Sequence, residues 1–586
     1  MKIKNIKYIT LAVIAMMSFS SCSDFLDRPA EDSYNADNYY KTDAQCIAGV
    51  NYLYNSPWYD FQRGFIKVGE VLSGNYYWGS SPYLTFTVNS TDEDLVNMSY
   101  SLWAVVGHAN TVYNSLKKAS ASESVKNQCM GECLLWKAMA YFYLVRSFGD
   151  VPIIHDNSTM LSDGSYSNVN KVNKADIYEY IVMTLEKSIE LLPSTRNTDG
   201  RVDKYSAEGL LAKVYLTMSG VGHSSDGLRD TEDLAKAAKY AKDVIDNSGR
   251  SMLENYADNF KIKNNANEES LIAWRWSSDA STWTSQNTLQ SDLAIGGFDE
   301  FGDCWGGWNG PSVDLQDAFG ISALENPENR TDVDARRKAT MMMAGDFYDY
   351  FWTDKTDKSG RKGFNYLQFI YDKDSYGKGG PSGDYQSASG ANEVKLLYGD
   401  AYDHKLGCGD DASYMHSSLA THLLRLSDIY LIYAEAIIGN NGSTADANAI
   451  DAFYKVRSRA IKSAERPSTI TWADVWKERR LELAMEGDRW YDFVRRSYYD
   501  TDGAIKEIKS QRRNQYWNLG SVYKTYYNSG TWSVDATTTR YNNDTSLTPN
   551  VTSSSFTLPF PNEDIVFNKK LMDDPIHVDV RSTYSY

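Results

Sequence analysis

Three glutamates, Glu478, Glu482 and Glu486, recur at i, i+4 and i+8 in the stretch VWKERRLELAMEGDRWYDFVRR (475–496). On a helix they would line one face. Carboxylates one turn apart are close enough to resemble the pair of a retaining glycosidase. The residues between them argue otherwise. Arg479 precedes Glu482 by three positions, Arg489 follows Glu486 by three, and Arg495 and Arg496 come soon after. Such cations keep carboxylates ionised, whereas a glycosidase acid needs its pKa raised. The stretch reads as an ion-pair network, and no catalytic residue is assigned.

Other reactive patterns fail in the same way. The seven histidines are scattered, with no HExxH. There is no G-x-S-x-G elbow and no G-x-x-x-x-G-K-[ST] phosphate loop. DKDSYG (372–377) begins like a calcium loop, but Tyr376 holds the fifth position and Gly383 stands where a bidentate Glu belongs. Cys129 and Cys133 lie one helical turn apart with no histidine nearby, and read as buried helix filler. No metal and no cofactor are expected; calcium on a loop is left open.

Composition points to binding. The chain carries 43 Tyr and 15 Trp, and aromatics make up 13% of it. These rings combine flat apolar faces with a polar edge, which suits wet binding surfaces. Sugar rings have apolar C–H faces that stack on them. Most of the aromatics must still be core. The binding candidates are those on glycine-rich polar loops: Tyr76, Tyr77, Trp78 and Tyr83 in one, Trp283, Trp305 and Trp308 in another.

Helical elements must position these loops. Thr42 caps an apolar run from Ala44 to Leu53. Residues 56–100 read as loop. Helical patterns follow at 101–118, 124–147, 174–192, 203–219 and 231–247, then at 419–438, 446–463 and 472–496. Ala138, Ala212, Ala238 and Ala436 are small residues at positions that could face a neighbouring helix, which suggests a tetratricopeptide-like stack. The strict 34-residue period is absent. Residues 250–418 break the pattern and read as an irregular, loop-rich subdomain carrying function. The body runs as one unit from 41 to 586, with helical repeats at about 101–249 and 419–496.

Residues 1–21 read as a secretory signal: Lys2, Lys4 and Lys7, then an apolar run from Ile9 to Phe19 that is too short to span a bilayer. Cys22 after small residues fits lipidation, and two acyl chains on one residue give stable anchoring. Residues 22–40 form an acidic tether; about 15 residues reach at most ~50 Å, which keeps the body beside the membrane. Formal charge is −17, and losing the signal removes three lysines and no acids. A chain this acidic excludes the basic footprint of a nucleic-acid binder. With Cys22 lipidated, the other five cysteines imply no complete disulfide framework.

Several stretches together resemble the SusD/RagB family of outer-membrane lipoproteins from Bacteroidetes. They are SCSDFLDRP (21–29), WAVVGHANTVYNSL (103–116), ECLLWKAMAYFYLVRSFGDVPII (132–154) and SAEGLLAKVYL (206–216), followed by RLSDIYLIYAEA (425–436), ERRLELAMEGDRWYDFVRR (478–496) and FTLPFPNEDIVFN (556–568). The family's usual C-terminal ending is altered here to MDDPIHVDV (572–580). The resemblance implies a mainly α, SusD-like fold: a tetratricopeptide-like scaffold packed against an irregular loop-rich subdomain. It implies a non-enzymatic, cell-surface binder of an oligosaccharide. It also implies an outer-membrane location through the lipid on Cys22, and a SusC-like TonB-dependent transporter as partner. Binding aromatics are expected in the loops at 74–84 and 276–310, and the Glu/Arg helix becomes a mark of the fold. Capture of a peptide for a similar transporter, or a surface glycoside hydrolase, are the alternatives.

Overall fold

Thr42 starts the first helix as its place in the sequence suggests. In the computed structural model its hydroxyl accepts from Gln45 N (3.3 Å), and the Gln45 side chain accepts from Thr42 N (3.0 Å). This reciprocal cap opens α1 (Asp43–Asn51). The structure describes residues 39–299, 301–372, 376, 385–535, 537–541 and 549–586. Cys22, the signal and most of the tether lie outside them, as does most of DKDSYG.

Residues 56–71, expected as loop, are helical throughout. A 3₁₀ segment (Ser56–Phe61) runs into α2 (Gln62–Ile66) and then into a π-turn (Lys67–Val71). Trp58, Phe61, Phe65, Ile66 and Val68 are buried on the inner side. Burial of that apolar face decides the conformation, where local propensity, with Gly and Pro in the stretch, does not. A short strand, β1 (Tyr76–Tyr77), follows.

The main helices are α3 (Glu93–Lys117), α4 (Glu123–Phe148), α5 (Lys174–Leu191), α6 (Lys204–Met218) and α7 (Thr231–Asn247). Each packs on the next in the chain, and α7 then packs on α9 (Leu426–Ile438), which carries α10 (Ala447–Ala460) and α11 (Trp472–Leu483) on its other sides. Ala138, Ala212, Ala238 and Ala436 are all buried, so small residues do sit where helices meet. The result is mainly α, a stack of paired helices with a loop-rich body between α7 and α9. No helix among the described residues is long and apolar enough to cross a membrane.

Three boundaries differ from the sequence reading. Helix α3 begins at Glu93, eight residues before the expected 101, in a stretch read as loop. Residues 421–425 form a buried strand, β4 (Thr421–Arg425), antiparallel to β2 (Ser270–Trp274), so α9 begins only at Leu426. The pattern at 472–496 is not one helix. It breaks between α11 and α12 (Arg489–Ser497) because Met485 and Gly487 take left-handed backbone (φ +66° and +73°). A Cβ on Gly487 would lie 2.2 Å from the Phe65 ring, so glycine is required there. Glu486 thus leaves the helical face expected of it and sits in the turn.

The loop-rich body has a second core, built on Met341, Met342, Trp352, Phe364, Phe369 and Val394 and closed by Trp517 and Tyr523. It also holds α8 (Leu289–Leu293) and β3 (Gly310–Pro311). Apolar contacts from Trp276, Leu289, Leu293 and Leu396 join it to the helices, and so does a buried ionic cluster. Arg425 bonds Glu269 (2.7 Å), Glu482 (3.1 Å) and both oxygens of Glu486 (2.7 Å each). Arg459 pairs with Glu269 (2.6 Å) and Glu482, Arg336 with Glu478 (2.7 Å) and Glu482 (3.3 Å), and Lys395 with Glu486 (2.8 Å). All of these groups are buried. A second set links Arg146 and Lys213 to Asp488, and Arg479 to Asp428 and Asp492. The partners expected from sequence, Arg479 for Glu482 and Arg489 for Glu486, turn elsewhere: Arg489 bonds the Trp476 carbonyl and Glu507. The glutamates are paired by cations distant in sequence.

Burial alone would raise the Glu482 pKa. Arg459, Arg425 and Arg336 outweigh it and hold the carboxyl at about 2, from an ordinary 4.5. A depressed carboxylate adds stability that is complete above its unfolded pKa and is lost as pH falls through the folded one. The protein should therefore lose stability as pH drops from about 4.5 towards 2. Glu482→Gln at neutral pH leaves three guanidiniums short of a charge, and should cost about 3–5 kcal/mol. Urea unfolding measures both; an unmoved midpoint would show that the network contributes nothing to stability.

Candidate functional site

One partly exposed stripe runs along the helical segment 56–71, with Arg63 open to solvent and Tyr59 and Lys67 half-buried. Tyr59, Arg63 and Lys67 recur at i, i+4 and i+8 opposite the buried Trp58, Phe61 and Phe65. Each of the three meets one of the candidate tryptophans. The Tyr59 ring lies 6.2 Å from Trp283, edge to face. Arg63 Nε is 4.0 Å from Asp292 Oδ1, and that same oxygen accepts from the Trp305 indole N–H at 2.9 Å. Lys67 Nζ sits 4.9 Å from the centre of the Trp78 ring, and also pairs with Asp94. The two loops marked out in the sequence are therefore brought to one side of the molecule by a segment expected to be loop itself.

A two-residue ribbon ties the loops together. β1 pairs antiparallel with β3, Tyr76 opposite Pro311 and Tyr77 opposite Gly310, and Ser312 N donates to the Asn75 carbonyl at 2.8 Å. Trp78 and Trp308 lie just beyond the same end of this ribbon.

The sequence WGGW (305–308) shows why large apolar rings stay exposed here. A Cβ on Gly306 would sit 2.0 Å from the Asp292 carbonyl oxygen, and one on Gly307 2.4 Å from Gln386. The backbone is pressed flat against α8 and its neighbours, so the flanking indoles must project outward. Trp305 is 53% exposed, and Trp283 and Trp308 are each 63% exposed. Trp305 does not swing freely: its N–H is held by Asp292, and its backbone N donates to the Ser291 carbonyl (2.9 Å). Burial pushes the Asp292 carboxyl up, while Arg63 and the indole pull it back.

Three of the expected residues have no face to offer. Tyr76, Tyr77 and Tyr83 are buried. Tyr77 packs near Tyr516 (5.9 Å between ring centres). Tyr83 donates its hydroxyl to Asp92 (2.7 Å), the N-cap of α3. These tyrosines serve the core, Tyr76 and Tyr77 from the ribbon and Tyr83 from a short helical turn (Pro82–Thr85). Trp78 is half-buried. Trp283, Trp305 and Trp308 keep open faces.

The sequence reading missed Tyr59 and Tyr414. Tyr414 is 61% exposed, at a tight bridge between Ser413 and His416, with its ring 5.6 Å from Phe301. Asn287 N donates to the Met415 carbonyl (3.0 Å) and Gln286 contacts His416 (3.1 Å), so Tyr414 borders the Trp283 loop. Its only signal in sequence was a tyrosine in a polar run. The arrangement is a group of aromatic faces with amide, guanidinium and carboxylate edges among them. A cavity of about 520 Å³ lies elsewhere, between α3 and the segment 563–571. The carboxylates of the Glu482 cluster are buried, and Glu482 is held ionised.

Two family models match the chain. One is described as the SusD family and covers residues 247–577. The other is described as starch-binding associating with outer membrane and covers residues 24–216. A SusD-like protein of Bacteroides ovatus is 32% identical, over 97% of this chain and 98% of its own. SusD-like protein P2 of Formosa agariphila is 24% identical, over 83% of this chain and 90% of its own. A crystal structure with xylogluco-oligosaccharide superposes at a TM-score of 0.75 with 29% identity, covering 92% of this chain and 100% of that one. A SusD homologue from Bacteroides thetaiotaomicron superposes at 0.66 with 18% identity, covering 93% and 98%, a likeness of fold alone.

The split between core and exposed aromatics is testable without a ligand. Tyr83→Ala should cost about 3–5 kcal/mol of unfolding free energy, as for other buried aromatics. Trp308→Ala should stay within about 0.5 kcal/mol of the parent, as for a surface position. Denaturant midpoints at constant slope decide; a large loss for Trp308→Ala would place it in the core.

Proposed function

The chain belongs to the SusD family, and from that membership we propose that it captures an oligosaccharide at the cell surface and passes it to a transporter. The observation that carries the reading is the exposure of Trp283, Trp305 and Trp308, with Trp305 held by Asp292 and Tyr59 against Trp283. Flat faces of this kind stack on the apolar faces of sugar rings. The groups between them, Arg63 and Asp292 among them, supply hydrogen bonds to hydroxyls. The relative solved with a xylogluco-oligosaccharide supports a glycan as ligand. The family model matched at 24–216 associates its members with the outer membrane. The lipid on Cys22 and a SusC-like TonB-dependent partner complete the proposal.

The role is capture without bond cleavage. Glu478, Glu482 and Glu486 are consumed by Arg336, Arg459, Arg425 and Lys395, and an acid held at about 2 is a poor proton donor near neutral pH. Each contact is weak, and tethering beside a transporter raises the effective concentration of captured chains.

Affinity electrophoresis of the chain from Ser23 onward, against plant, host and microbial polysaccharides, tests this, with released sugar assayed in parallel. One glycan should retard the protein with no sugar released. Trp305→Ala or Trp308→Ala should weaken that retardation about tenfold or more, as expected for a central aromatic anchor. Released sugar would point to hydrolysis, and competition by peptides but by no glycan to a peptide ligand.

A further inference from the structure

Asp299, Asp303 and Cys304 bring two carboxylates and a thiol together in the turn that leads into Trp305. One ligand atom from each lies within 4.8 Å of the others. Cys304 Sγ is 3.3 Å from Asp299 Oδ2. Asp299 Oδ1 is held by the backbone, accepting from Phe301 N (3.2 Å) and Gly302 N (3.0 Å), which leaves Oδ2 with the thiol. Both Asp303 oxygens are shut off from solvent and receive no hydrogen bond. Two carboxylates in such contact need a proton or a cation between them.

A separate side chain points the same way. Tyr398 is 4% exposed, and its hydroxyl has no partner. Among charged groups, Asp299, Cys304 and Asp303 act on that hydroxyl most strongly. A buried phenol without a partner costs roughly 1–3 kcal/mol. A cation at the centre of the group would serve the carboxylates, the sulfur and the phenol oxygen together.

We propose that Asp299, Asp303 and Cys304 form a divalent-cation site of the zinc type, with Tyr398 beside it. The ligand set selects the ion. Carboxylates alone suit calcium or magnesium, whereas a sulfur ligand favours a softer ion such as zinc. Tetrahedral zinc, at about 2.3 Å to sulfur and 2.0–2.2 Å to oxygen, sets neighbouring ligand atoms about 3.5 Å apart; the Sγ–Oδ2 distance of 3.3 Å fits. Binding displaces to solvent both the thiol proton and the proton the two carboxylates share, and leaves a thiolate on the metal. The bound ion would hold Asp299 and the 301–305 turn in place, one residue from the Trp305 indole. The site stands whether or not the exposed aromatics bind sugar.

The chain from Ser23 onward, stripped with a chelator, should be titrated with Cd²⁺ and separately with Zn²⁺. One equivalent of Cd²⁺ should produce the ultraviolet thiolate-to-cadmium band, and Zn²⁺ should abolish it by competition and raise the melting temperature. The band should vanish in Cys304→Ser and persist in Cys408→Ser. Asp303→Asn should weaken Zn²⁺ at least tenfold and, as a near-isosteric change, keeps the test valid if Cys304→Ser fails to fold. A band that persists in Cys304→Ser, stabilisation by Ca²⁺ with no cadmium band, or no response to either metal overturns the proposal; in the last case the two aspartates share a proton instead.

Discussion

Arg425 is the residue on which the rest of the molecule turns. It stands at the end of β4, immediately before α9, and its guanidinium reaches Glu269 beside β2, Glu482 on α11 and Glu486 in the turn after it. Around it, Glu269, Glu478, Glu482 and Glu486 balance Arg336, Arg425, Arg459 and Lys395. Stripping that many charges of water is expensive, and the cost is offset only when every group is paired in good geometry. Such a cluster has few acceptable arrangements. Helices α9, α10 and α11 and the loop-rich body must therefore meet in one way, although apolar packing alone would tolerate several.

That fixed junction accounts for the binding face. The turn that releases Glu486 into the cluster also places Gly487 against Phe65. Phe65 is in α2, and the opposite side of the same helical segment carries Tyr59, Arg63 and Lys67. From these the chain of contacts runs to Trp283, to Asp292 and Trp305, and to Trp78. Few of these links are strong alone. Together they connect a buried ionic core to exposed rings through rigid elements rather than through long loops.

The sequence showed the helices well where their apolar faces repeat: α5 and α7 fall within a residue of their expected bounds, and Thr42 caps as expected. It failed where long-range burial decides conformation. Residues 56–71 have no helical repeat, yet become helical because Trp58, Phe61 and Phe65 are buried from one side. Thr421–Arg425 becomes strand because β2 lies beside it. Among the aromatics, neighbouring glycine was an uneven guide. In WGGW the glycines lie against α8 and force the indoles outward. In YYWGSSPY the glycine follows the rings, and Tyr76 and Tyr77 are committed to a covered ribbon. Ion pairing was legible in kind but not in partner, since cations more than twenty residues away outcompete those one turn along the helix. The acidic group at 299–304 went unnoticed because its third member, Cys304, means nothing until the fold sets it beside Asp299.

Rigidity of the aromatic face also bears on how it can act. A side chain that must be ordered on binding forfeits roughly 0.5–1.5 kcal/mol for each rotamer-rich group. The Trp305 indole is already held by Asp292 and by its own backbone, and Trp308 follows two glycines with no room to shift. Stacking on such rings gives up little entropy and also gains little from reorganisation, so contacts form and break without the fold having to move. That is the behaviour required of a surface that takes hold of a polymer at several points and must let it go. It is the opposite of what the buried cluster does, where charges are locked and no exchange with solvent is allowed. The molecule keeps its ions inside for definition and its open rings outside for contact, and each arrangement would fail in the other's place.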